Sequence, residues 1–85
     1  MRIPKQLLVG GINYEVRLDE KMKCAGMILR ECNIIKIRKS LSKQQQEEAL
    51  FHEIVHAINW EMSEKETELL AQALYQVLYQ NNLLK

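Results

Sequence analysis

At 85 residues the chain suffices for one small domain, and a chain of this size buries only about 60–65% of its unfolded surface. Twelve basic and eleven acidic residues are interleaved to a net charge of +1, so no basic face exists to neutralise several phosphates, and nucleic acid is excluded as an expected partner. With 47% hydrophobic residues, no long apolar run and no apolar segment behind Met1-Arg2-Ile3-Pro4-Lys5, the expectation is a globular, cytoplasmic protein without membrane contact.

Residues 5–9 are a short apolar run. Residues 12–19 alternate, with Ile12, Tyr14, Val16 and Leu18 on one face and Asn13, Glu15, Arg17 and Asp19 on the other. Gly10-Gly11 between them supplies the positive φ angles of a two-residue turn, so the chain opens on a β-hairpin. Residues 20–23 are charged and read as a connection. Two further extended runs follow at 25–31 and 34–38, with Cys32-Asn33 as the turn between them. The expectation is a small antiparallel sheet of three to four strands. Cys24 and Cys32, placed at the two ends of one such strand, stand too far apart for a disulfide and are read as free thiols, consistent with a reducing compartment.

Ser42 and Gln45 form a capping box for a helix over residues 42–60, and Ser63 and Glu66 form a second for a helix over 63–81. In the second helix Thr67, Leu70, Ala71, Leu74, Val77 and Leu78 recur at helical period. Only Glu61 and Met62 are left to connect the two, which predicts an antiparallel pair. The fold class is therefore α+β: one domain over 1–85, with a sheet over 1–38 and two packed helices behind it. Neither linker nor internal repeat interrupts it.

The first helix carries both histidines of the chain, in His52-Glu53-Ile54-Val55-His56. Residues i and i+4 of a helix share one face, so two imidazoles at this spacing can converge on one metal ion. Glu53 lies about 100° round the helix, too far to ligate the same ion easily but able to take a proton from a water beside it. Zinc lowers the pKa of its water to about 7 and polarises a carbonyl under attack. H-E-x-x-H therefore points to metal-assisted amide hydrolysis, with Glu53 as base. Leu50, Phe51, Ile54, Val55 and Ile58 form an apolar stripe roughly 120–170° away, which leaves the histidines on a second face.

Catalytic zinc usually has three protein ligands. With no third histidine, a carboxylate or cysteine must complete the set. If the inter-helix turn is centred near Met62, the position level with His56 on the returning helix is Glu68; Glu64, one turn nearer the loop on a similar face, is the second candidate. Glu66 points elsewhere and serves Ser63.

These residues resemble the gluzincin metallopeptidases, and among them the ImmA/IrrE-type peptidases and their very small phage and prophage relatives. In that type the second helix carries E-x-E-A-N-x-F-A-x-x-L-L with its first glutamate on the metal; Glu68-Leu69-Leu70-Ala71-Gln72-Ala73-Leu74 and then Leu78 follow the spacing. The resemblance implies Zn²⁺ as cofactor on His52, His56 and Glu68, and Gln72 hydrogen-bonded to a ligand imidazole in place of the family's asparagine. It also implies a protein or peptide substrate added as a strand along 25–31 or 34–38. Leu70 stands where the pattern has its second glutamate.

Three functions follow in order: a zinc-dependent peptidase, a non-catalytic zinc-stabilised interaction module, and a metal-free interaction domain. For the developing oxyanion, Tyr14 and Tyr75 are the available hydroxyls, though core packing is the expected role of both. Cys24, Cys32 and residues 81–85 are the groups available to cap an open metal position. Nothing in the sequence fixes the oligomeric state.

Overall fold

The computed structural model describes residues 2–84; Met1 and Lys85 lie outside the described residues. Gly10 and Gly11 take φ angles of 57° and 81°, the left-handed pair a two-residue hairpin turn requires. They join β1 (Gln6–Val9) to β2 (Ile12–Asp19) in antiparallel register, Leu7 opposite Tyr14. Asn33, at φ 56°, turns β3 (Gly26–Leu29) back into β4 (Ile34–Arg38), with Ile28 opposite Ile35.

The two hairpins join through β2 and β4, which run parallel with Val16 beside Ile35. The strand order β1-β2-β4-β3 makes the sheet mixed, where sequence pattern alone predicts an antiparallel one. The reason lies in β4. Ile35 and Ile37 are wholly buried, and the strand that carries the most deeply buried side chains gains most from a neighbour on each side. Centring it sends the chain across the sheet through residues 20–25 and leaves β3 on the edge. Of the two stretches expected at the edge, therefore, the 25–31 run supplies it and Ile34–Arg38 does not. The crossing segment is pinned by Arg38, whose backbone N–H donates to the Ala25 carbonyl at 2.9 Å and whose guanidinium donates to the Lys23 carbonyl at 3.2 Å.

Both predicted capping boxes form. Ser42 accepts from the Gln45 backbone N–H and the Gln45 side chain accepts from Ser42 N–H at the head of α1 (Lys43–Ile58). Ser63 and Glu66 do the same for α2 (Glu64–Gln80). Asn59 ends α1 in extended geometry, and residues 59–63 return the chain antiparallel.

The layers are sheet, α1, α2. Tyr14, Val16, Ile35, Ile37, Ala49 and Leu50 fill the space between sheet and α1, while Phe51, Val55, Ala71 and Tyr75 fill that between the helices. Helix α2 packs on α1 alone, out of reach of the strands. Its inner face is Thr67, Ala71 and Tyr75, with Leu78 half-buried; Leu70, Leu74 and Val77, which share the helical period, are exposed. Small side chains let the helices approach closely, and that turns the larger leucines outward. Ile58, read as part of the α1 stripe, is exposed at the last turn. Among the described residues no helix is long and apolar enough to cross a membrane.

Candidate metal centre

Because α2 stands off the sheet, an open cleft of about 500 Å³ runs over α1 between the edge strand and α2. Cys24, Ala25 and Gly26 form one wall, His52 and Glu53 part of the floor, and Glu64, Glu68 and Gln72 the other wall. Every residue assigned to the site from sequence except His56 lines this cleft, and His56 joins it through its ring contact with His52, centroids 4.8 Å apart.

Glu64 closes the cluster. Its two carboxylate oxygens meet the two imidazoles, Oε1 at 2.6 Å from His52 Nε2 and Oε2 at 3.2 Å from His56 Nε2. The hydrogen bond with His52 holds the Glu64 carboxyl below its ordinary range; burial opposes it, and the hydrogen bond with His56 adds to the lowering. The ligand atoms of His52, His56 and Glu64 all lie within 4.8 Å of one another, a side-chain rotation away from the roughly 3.3–3.6 Å that separates ligands held about 2.0–2.2 Å from one tetrahedral ion. Two imidazole nitrogens and a carboxylate are also the donor set of a catalytic zinc site. The residues fit the metal.

The structure brings Glu64 to the histidines, and places Glu68 one turn further along the same wall, where Gln72 Nε2 donates to it at 3.4 Å. The two residues that family resemblance assigns to the metal and to a ligand imidazole thus contact each other. The level estimate that favours Glu68 treats each residue as a point on its helix. A glutamate side chain is long enough to reach along the axis, and Glu64, largely exposed, is unhindered in doing so.

Glu53 is buried, 5% exposed. Burial pushes its carboxyl up to about 7, with His56 working against the rise and Glu64 adding to it. Across the cleft it lies against Gly26, and a Cβ built on that glycine would fall 2.9 Å from Glu53 Oε2 and 3.2 Å from its Cγ. A side chain at position 26 and the Glu53 carboxylate therefore compete for one space. Gly26 is the site residue that sequence reasoning missed: it is a lone glycine inside a strand pattern, a recognised mark of close approach by another group.

The two tyrosines are elsewhere. Tyr14 is in the sheet core, and Tyr75, buried between the helices, donates its hydroxyl to Glu47 at 2.5 Å. Burial first, and then the Glu47 carboxylate, push the Tyr75 phenol well up. Neither lines the cleft. Both cysteines are free and exposed; Cys24 is on the cleft wall and Cys32 in the β3–β4 turn. Of residues 81–85, Lys85 lies outside the described residues, and Leu84 packs on the Phe51–Val55 cluster, away from the cleft.

Comparison with family models, with curated proteins and with solved structures found no match for the chain.

Proposed function

We propose that the protein is a zinc-dependent peptidase acting on an extended segment of a protein or peptide, as in the small phage-type relatives of the ImmA/IrrE-type gluzincins. A reducing cytoplasm suits its two free thiols. The observation that carries this reading is the convergence of three ligand atoms, from His52, His56 and Glu64, beside a buried carboxylate in one open cleft.

His52 and His56 would hold the ion from α1, and Glu64 would hold it from α2. Zinc bound there supplies a Lewis acid for the scissile carbonyl and acidifies water. The chain does the rest. Glu53, raised to about 7, is matched to accept a proton from water near neutral pH and to return it to the leaving amine. Gly26, lacking a side chain, leaves room for that carboxylate. The free edge of β3 offers unpaired backbone groups beside the cleft, where a substrate strand can add by main-chain hydrogen bonds and lie across Glu53.

The test is cleavage of a broad peptide library by zinc-loaded protein, with Glu53→Gln in parallel. Loss of about 10²–10⁴-fold in rate, with zinc content unchanged, is the expected result. Cleavage absent from the parent, or equal in the variant, overturns the reading.

A second reading draws on the layer order. Because α2 is held by α1 alone, an ion bridging His52 and His56 to the first turn of α2 staples the third layer to the second, and zinc then serves folding in a non-catalytic interaction module. A large fall in melting temperature on chelation, with partner binding indifferent to Glu53→Gln, distinguishes it.

A further inference from the structure

The aromatic row that begins at the metal centre does not stop there. His52 and His56 are followed one turn on by Trp60, whose ring centroid is 5.8 Å from that of His56. Over the Trp60 ring sits the Arg30 guanidinium, its carbon 4.2 Å from the centroid. These two separations together put the Arg30 guanidinium carbon within about 10 Å of the His56 ring. The row joins two distant stretches of sequence: Trp60 follows the end of α1, and Arg30 follows the last residue of the edge strand β3.

Stacking on an indole occupies the face of a guanidinium and leaves its five N–H donors, which lie in its plane, free at the rim. Among the described residues no carboxylate lies within 4.0 Å of the Arg30 nitrogens, although Glu31 is adjacent in sequence and Glu61 follows Trp60. The cation is thus held in place but unpaired. By contrast the cleft itself is lined by Glu48, Glu53, Glu64 and Glu68, with no Lys or Arg among its lining residues, so Arg30 is the permanent cation nearest to hand for a substrate carboxylate.

We propose that Arg30, fixed on Trp60, is a recognition site for a carboxylate on the substrate, three or four residues from the bond that is cut. The inference rests on the peptidase reading for the position of that bond. The spacing follows because an extended chain advances about 3.3 Å per residue, and a strand laid along β3 runs from Gly26, beside Glu53, to Arg30. The guanidinium rim pairs with a carboxylate through two parallel N–H donors. Such a group comes either from an Asp or Glu side chain or from a free chain terminus.

Trp60 is the single tryptophan of the chain, so its fluorescence reports on this site. The experiment uses zinc-loaded protein bearing Glu53→Gln, which binds without turnover, and three pools of hexapeptides in a random Ala, Leu and Phe background. One has blocked termini and a fixed Glu, one has blocked termini and Gln at that position, and one has Gln with a free C-terminal carboxylate. The Glu pool is expected to change Trp60 fluorescence at roughly fivefold lower concentration than the blocked Gln pool, the scale of one exposed charge pair. Adding Arg30→Gln is expected to erase the difference. A matching gain for the free-terminus pool alone assigns the site to chain ends rather than acidic side chains, and it supports the inference equally.

Equal responses to all three pools, including none, overturn it, as does a preference that survives Arg30→Gln. Cleavage of the same pools by protein with Glu53 intact separates this from the peptidase reading. Cleavage without acidic preference removes the Arg30 site and keeps the enzyme, whereas Arg30-dependent binding without cleavage keeps the site and removes the enzyme.

Discussion

The two sides of α1 are built differently. Towards the sheet it buries large branched side chains, with Leu50 at 1% exposure against Ile35 and Ile37 at 0%. Towards α2 it meets Thr67, Ala71 and Tyr75, the last hydrogen-bonded to α1's own Glu47, while the big leucines of α2 face outward. The difference separates the parts of the site by rigidity. His52, Glu53 and His56 ride on a helix clamped to the sheet, and Glu53 meets Gly26 across that clamp. Glu64 hangs from the first turn of a helix that touches only α1, and it is 73% exposed. His52, Glu53 and His56 are placed by packing; the Glu64 carboxylate is placed by its hydrogen bonds to the two imidazoles.

Breaking the sheet side gives the largest effect on stability. Leu50→Ala is expected to cost about 2–5 kcal/mol in urea unfolding, whereas Leu70→Ala, on the exposed side of α2, stays within about 0.5 kcal/mol. Nearly equal costs for the two would contradict the division.

The buried Glu53 carries the next effect. Its carboxyl, raised to about 7 from 4.5, binds a proton more tightly folded than unfolded. The stabilisation is therefore complete below pH 4.5 and is lost as pH rises through about 7. Metal-free protein should lose on the order of 3 kcal/mol across this window relative to metal-free Glu53→Gln, read from urea titrations of both.

Gly26→Ala tests the contact itself. The new methyl displaces the Glu53 carboxylate, and a misplacement of about 1 Å costs on the order of 10²-fold in peptide cleavage, with zinc content retained. On the α2 side Tyr75→Phe removes one hydrogen bond from buried Glu47 and is expected to cost about 1–3 kcal/mol by urea unfolding without altering zinc content.

What the sequence discloses follows the same line. The alternation of Ile12–Asp19, the Gly10-Gly11 turn, Asn33 and both capping boxes are local signals, and each element forms where its signal stands. H-E-x-x-H is local too, since four residues of helix fix the two imidazoles. The parallel pairing of β2 with β4 is a choice between distant strands, decided by burying Ile35 and Ile37 from both sides, and strand pattern is silent on it. The outward turn of Leu70, Leu74 and Val77 is of the same kind: helical period marks two apolar stripes, and only the close approach of Thr67 and Ala71 to α1 selects between them. Glu64 against Glu68 depends on side-chain reach across two helices, and no spacing within one helix carries that information.

The most direct test of the central claim is zinc content per chain in protein purified without chelator, measured beside Glu64→Ala and Glu68→Ala. The account predicts one zinc per chain in the parent, retained in Glu68→Ala and lost in Glu64→Ala. Loss in Glu68→Ala with retention in Glu64→Ala would move the third ligand one turn along α2, and a parent that binds no zinc even after reloading would contradict the metal centre itself.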